Sequence, residues 1–168
     1  IGFAGLVSSG KSSLINAMLG TLVSKASLDR ATNRPTIYSS TSKMSKFSAK
    51  DEARLMKAWS DGTLSAKDRN LLMAPLHHPI ATPHNVRIVD FAGLNDNDST
   101  GGDIFLEAFM ENLEQLDIVV FVSECEKIFV RGSELNLFKK IAEAIEANIR
   151  RGRYQELVIV ANKYDFED

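Results

Sequence analysis

One cysteine in 168 residues, Cys125, allows no internal disulfide and no cysteine-based zinc cluster, and a single thiol fits a reducing compartment. No run of about 18 apolar residues occurs, so no segment reads as a membrane-spanning helix, and no signal-peptide pattern is present. An excess of either charge is also missing. The 20 Lys and Arg against 22 Asp and Glu leave a formal net charge of -2, which gives no field for nucleic acid or an anionic membrane. A hydrophobic fraction of 44% is ordinary for a soluble domain and fills the single core that a chain of this length builds.

The first residues, Ile1-Gly2-Phe3-Ala4-Gly5, read as a buried strand running into a loop, with no methionine before them. That start predicts an excised piece: one domain over 1–168, truncated at both ends, with C-terminal elements missing. Lys11–Leu19 carries Leu14, Ala17 and Met18 at helical spacing, and Gly20 is placed to end the helix. Residues 21–35 are polar and irregular up to Pro35, which disfavours helix at Arg34, and Ile37-Tyr38 starts a short strand. Ser48 and Ser65 each stand three residues before an acid, Asp51 and Asp68. This capping pattern predicts two helices over 52–59 and 69–73, joined at Asp61-Gly62, as a helical insert near 43–80. Residues 85–91 read as a strand, 92–102 as a turn-rich loop, and 103–116 as an amphipathic helix with Phe105, Phe109, Leu113 and Leu116 inward. The β-branched run at 117–123 marks a strand buried on both faces, 133–150 a long helix, and 157–161 another buried strand. Strands alternating with helices predict an α/β fold around a mostly parallel sheet.

Gly5-Leu6-Val7-Ser8-Ser9-Gly10-Lys11-Ser12 matches G-x-x-x-x-G-K-S/T between a strand and a helix, the context in which that pattern cradles phosphate. Gly5 and Gly10 let backbone amides curl around an anion, and the helix starting at Lys11 adds its positive end. Lys11 supplies charge to the β- and γ-phosphates, Ser9 and Ser13 complete the phosphate contacts, and the Ser12 hydroxyl is placed to ligate Mg²⁺. Asp90-Phe91-Ala92-Gly93 has the form D-x-x-G at a strand's end: Asp90 holds Mg²⁺ through water and the Gly93 amide senses the γ-phosphate. Asn162-Lys163-Tyr164-Asp165 has the form N-K-x-D after the last strand. The Asp165 carboxylate accepts from the ring N–H and the exocyclic amine of guanine, a pairing adenine cannot match. Asn162 ties the phosphate loop to the base site, and the Lys163 stem lies over the purine. Three motifs in order at strand C-termini fall where an open α/β sheet binds ligands, and they predict GTP or GDP with Mg²⁺. His77-His78, with no partner four residues away, reads as loop, Arg150 to Arg153 as a solvated helix end, and Cys125 as a packed residue.

Ser8, the run Lys11-Ser12-Ser13-Leu14-Ile15-Asn16 and the segment Ala31-Thr32-Asn33-Arg34-Pro35-Thr36 together resemble the GTPase domain of the dynamin superfamily, over most of 1–168. The resemblance implies a P-loop NTPase fold, a Ras-like G domain in three layers, that hydrolyses GTP to GDP and phosphate with Mg²⁺. It implies that Ser8 stabilises transition-state charge, and that Thr32 closes over Mg²⁺ and orients the attacking water. Ser8, Lys11 and Thr32 are then the catalytic set, and Ser12, Thr32 and Asp90 the metal ligands. Thr36 replaces Thr32 if the register is one turn different. The resemblance further implies switching of 21–40 and 92–102 and a homodimer across the nucleotide face. It also implies membrane remodelling by a cytoplasmic protein whose membrane contacts lie outside these residues, with no nucleic-acid partner. Two positions depart from relatives: Val7 stands where dynamin has a glutamine, and Leu94 where small Ras-like GTPases have one. Catalysis of the Ras type is thereby excluded, so either Ser8 with the Thr32 backbone suffices or a partner G domain orders the loops. Two other readings are an Era- or septin-like GTPase, against which Ser8 and segment 32–35 count, and a non-hydrolysing GTP-binding scaffold, which Val7 and Leu94 favour.

Overall fold

The computed structural model describes residues 1–23, 34–41, 43–44, 48–82, 85–94 and 104–163. Strands β1 (Gly2–Ala4), β2 (Thr36–Ser39), β3 (Leu76–Pro79), β4 (Ile88–Asp90), β5 (Ile118–Glu124) and β6 (Glu156–Asn162) form one sheet in the order β3-β2-β4-β1-β5-β6. Neighbours run parallel except β2 and β4, which are antiparallel. Helices α1 (Lys11–Leu19), α2 (Ala49–Ser60), α3 (Ala66–Met73), α4 (Ile104–Leu113) and α5 (Gly132–Arg150) cover its faces. The run at 117–123 is apolar throughout because successive residues of β5 point to opposite, covered faces. Val119 and Phe121 pack with Phe109 of α4 and Ile141 of α5, while Val120 and Val122 pack with Ile15 of α1. This is the expected P-loop α/β arrangement, helix–sheet–helix around a mostly parallel sheet.

The insert helices form where the serines place them. Ser48 accepts the Asp51 amide and Ser65 the Asp68 amide, each at 3.1 Å, so α2 and α3 begin directly after their caps. Gly20 ends α1 in the left-handed region, φ 64°, with its amide on Ala17 O.

Three expectations are corrected. Residues 76–79 form β3 rather than loop, because β2 offers an open edge and the segment pairs with Thr36–Ser39 in parallel register. His77 and His78 therefore lie on an edge strand, where the terminal Pro79 is tolerated. β6 is not buried on both faces: β5 is its one partner among the described residues, and Val158 and Ile159 are 41% and 46% exposed. An apolar run fits a two-faced strand, but position in the sheet decides how much of it is covered. Third, α4 stops at Leu113, and the next turn returns the Leu116 amide to Leu113 O at 3.1 Å, which keeps Leu116 in the core outside the helix. Buried Gln155 fastens this turn by donating to Leu113 O and Leu116 O, both at 2.7 Å, and accepts from Asn148 of α5 at 2.9 Å. Arg150 and Arg151 pair at the surface with Glu146 and Glu114. Cys125 is half-buried at the start of a 3-10 turn.

Candidate functional site

β1 delivers the chain between β4 and β5, and the loop leaves the sheet at Gly5. A Cβ there would strike the Val122 carbonyl of β5, and φ is +144°, so the exit requires glycine. Ser8, at φ 63°, and Gly10, at φ 92°, then turn through the left-handed region into α1, whose Leu14 amide reaches Gly10 O at 2.9 Å. The N-terminus of α1 has neither a side-chain cap nor an acidic residue in its first turn. The positive end of the helix thus carries no acidic side chain of its own first turn, which suits a phosphate. Lys11 is buried, and its amine donates to Gly5 O at 3.1 Å and Leu6 O at 2.9 Å, which holds the cation inside the curl of the loop.

Two other motif segments converge on this loop. Ser12 Oγ donates to Oδ2 of fully buried Asp90, the last residue of β4, at 2.9 Å. A hydroxyl beside a carboxylate is the hard-oxygen donor pair that Mg²⁺ takes. Beyond Asp90, a Cβ on Gly93 would stand 2.6 Å from both Cα and Cγ2 of Val7, and Leu94 N donates to Gly5 O at 3.1 Å. The D-x-x-G segment therefore lies flush against the phosphate loop. Leu94 is fully buried, so the position after the motif faces the core and not the nucleotide side.

From the far edge of the sheet, Asn162 Nδ2 donates to Ser9 O at 3.0 Å, linking two residues 153 apart in sequence. That amide occupies the space a Cβ on Gly10 would need. Gly10→Ala should therefore expel Asn162 and force a left-handed alanine. The two costs are roughly 1–2 kcal/mol for the backbone and about 1 kcal/mol for the hydrogen bond. In a domain this size they predict a melting point lower by about 5 °C or more. A variant that melts within about one degree of wild type would show room that this geometry denies.

Lys163 follows at φ 59°, and its amine pairs with Glu124 at the end of β5 at 2.7 Å. Ser9 is buried, its Oγ without a hydrogen-bond partner among the described residues, and Ser13 is exposed. Thr36 lies within β2 directly opposite Asp90, its hydroxyl on Arg34 O at 3.3 Å. Thr32 and Asp165 fall outside the described residues. Sequence reasoning missed Glu134, a buried carboxylate that accepts from Ser123 Oγ at 2.7 Å and from the Phe129 amide at 3.0 Å. It fixes the loop between β5 and α5 on the nucleotide side, and only its place in the first turn of a helix hinted at this. Arg34 was visible in sequence as part of a motif but had no assigned contact.

Among the described residues no helix is long and apolar enough to cross a membrane, and no group of three or more His, Cys, Asp or Glu is placed to hold a metal.

A family model described as 50S ribosome-binding GTPase matches residues 1–163. Among solved structures, a bacterial dynamin superposes with a TM-score of 0.58 at 16% identity, over 99% of this chain and 33% of that chain. It is described as an oligomerised pair that provides a mechanism for long-range sensing and tethering of membranes. The chain thus spans about one third of that protein's length. No curated protein matches at a significant level. A GTPase family and a dynamin's fold are what the three motifs, with Ser8 and segment 31–36, lead one to expect.

Proposed function

The chain belongs to the 50S ribosome-binding GTPase family, and from that premise we propose that it is the G domain of a dynamin-type protein, binding GTP with Mg²⁺ and hydrolysing it to GDP and phosphate. The observation that carries this reading is convergence on one loop: Ser12 on Asp90 at 2.9 Å, Leu94 on Gly5 at 3.1 Å, and Asn162 on Ser9 at 3.0 Å. Segments up to 153 residues apart meet there, each bringing the residue types that phosphate, metal and base require.

In this reading the loop amides, with Gly5, Ser9, Gly10 and Ser13, and the Lys11 amine hold the phosphates. Ser12, Asp90 and Thr32 hold Mg²⁺, which when bound neutralises charge on the β- and γ-phosphate oxygens. The Gly93 amide senses the γ-phosphate, Ser8 stabilises transition-state charge, and Thr32 orients the water. Asn162, Lys163 and Asp165 select guanine. Asp90→Asn keeps the volume and removes the charge. It is expected to raise the Mg²⁺ concentration for half-maximal turnover by about 10–100-fold, as for other groups that act on a metal through water. A titration of phosphate release against Mg²⁺ that superimposes on wild type would remove Asp90 from the metal site.

The wider reading is a cytoplasmic protein that pairs across its nucleotide face and works at membranes through regions outside these residues. It rests on the resemblance and on the likeness in fold. The formal net charge of -2 weighs against a nucleic-acid partner. Phosphate release from GTP with Mg²⁺, measured at rising protein concentration, tests both levels. Turnover per molecule is expected to climb with concentration, as pairing requires. Background turnover at every concentration with GTP still bound would leave the non-hydrolysing scaffold that Val7 and Leu94 favour.

A further inference from the structure

The helical pair α2–α3 carries none of the nucleotide motifs, yet its contacts run to both flanks of the site. On one flank Arg34, only 4% exposed, donates to the carbonyl of Ala74 from Nη2 at 2.7 Å and from Nε at 3.2 Å. Ala74 is the residue that ends α3, where the helix dipole is negative and a cation is favoured. Burial lowers the Arg34 pKa from its ordinary value and Glu52 of α2 opposes that, so the guanidinium stays charged beside both insert helices. The Leu76 amide meets Pro35 O at 2.7 Å, and β3 then continues along β2. Two residues after Arg34, Thr36 faces Asp90 in the β2–β4 register. On the other flank Trp59 of α2 packs edge-on against Phe105 of α4, with centroids 5.3 Å apart, and Arg69 of α3 pairs with Glu107 of α4. Helix α4 follows the D-x-x-G segment in the chain.

We infer that the insert is a brace which sets β2 against the metal-side aspartate and ties it to α4, with Arg34 as the positioning residue. The insert's contacts go to Arg34 and Pro35 at the head of β2, which pairs with β4 and Asp90, and to α4, which follows the D-x-x-G segment. The brace therefore bears on the half of the site that distinguishes GTP from GDP, and not on the contacts to the phosphates that GDP retains. This inference rests on the proposed GTPase reading.

The test compares wild type with Arg34→Lys, which keeps the cation but loses the forked contact, and with Trp59→Leu, which alters the contact of the insert with α4. The measurements are kcat and KM for GTP, affinities for GDP and a non-hydrolysable GTP analogue, and the melting point. Arg34→Lys is expected to lower kcat and the analogue's affinity about tenfold, the scale of a lost hydrogen bond to a charged group, while GDP affinity stays within about twofold. Trp59→Leu should lower kcat about threefold through the insert alone. Unchanged kcat in either variant overturns the brace. Equal losses of GDP and analogue affinity, in step with a lowered melting point, overturn it too by showing a merely structural contact. Wild-type protein that fails to bind GTP at all would instead refute the underlying GTPase reading.

Discussion

Lys11→Ala is expected to weaken GTP binding by at least about a hundredfold. The lysine amine sits buried inside the loop, 3.1 Å from Gly5 O and 2.9 Å from Leu6 O. On the proposed reading it bridges β- and γ-phosphate oxygens, and two charge-assisted hydrogen bonds at about 1.5–3 kcal/mol each account for that factor or more. The substitution also removes the bonds that hold Gly5 and Leu6, so a loosened loop could mimic a lost contact. Lys11→Met keeps the apolar packing of the stem and loses the charge together with the same two bonds, so its melting point reads how far losing them loosens the loop. Both variants should lose GTP in a calorimetric titration, and a melting point of Lys11→Met near wild type assigns that loss to the missing charge and not to a loosened loop. GTP affinity within about tenfold of wild type in both would show that this loop does not hold the phosphates.

The chemistry of the site was more legible in the sequence than the shape of the domain. Glycine at 5, 10 and 93 is demanded by close approach: a Cβ at these positions would meet Val122 O, Asn162 and Val7 respectively. Such constraints fix residue type and spacing at once, which is why a motif survives as a readable string. The caps at Ser48 and Ser65 are local too, reaching only three residues along the chain. Long-range placement leaves a weaker trace. Nothing in Leu76-His77-His78-Pro79 announces a strand, because β3 owes its conformation to β2. β6 shows the converse, since its apolar run carries no mark of standing at an edge. Gln155 and Glu134 are polar residues in ordinary surroundings of sequence, and only the folded chain shows which carbonyls, hydroxyls and amides they serve.

Two absences in the sequence acquire a physical meaning in the fold. Leu94 is fully buried and its amide is taken by Gly5 O, so a side chain at 94 has no path to an attacking water. Val7 is pressed by Gly93 and belongs to the contact between the two nucleotide-side loops. Neither position is a vacant catalytic post; both hold the D-x-x-G segment against the phosphate loop. On the proposed reading, hydrolysis then falls to Ser8, Thr32 and the register of β2, which gives the Arg34 anchor its weight.

Asp165→Asn is expected to reverse base preference, with GTP affinity falling about a hundredfold or more and xanthosine triphosphate gaining by a similar factor. Asn162, bound to Ser9 O, brings the strand that precedes Asp165 to the phosphate loop, so the N-K-x-D motif begins beside that loop. A carboxylate accepts the ring N–H and the exocyclic amine of guanine together. An asparagine amide turns its own N–H₂ toward that amine and leaves two donors facing each other. Xanthine carries a carbonyl in place of the amine, so the same amide donates to it while its oxygen still accepts the ring N–H. Sites built on such pairings reject the wrong partner by large factors because a polar group is left buried and unpaired. Competition between the two triphosphates for wild type and variant reads the reversal directly, and the Lys11 contacts should hold both through their phosphates. A variant that keeps GTP at wild-type affinity and still rejects the xanthine nucleotide would place base recognition elsewhere in the protein.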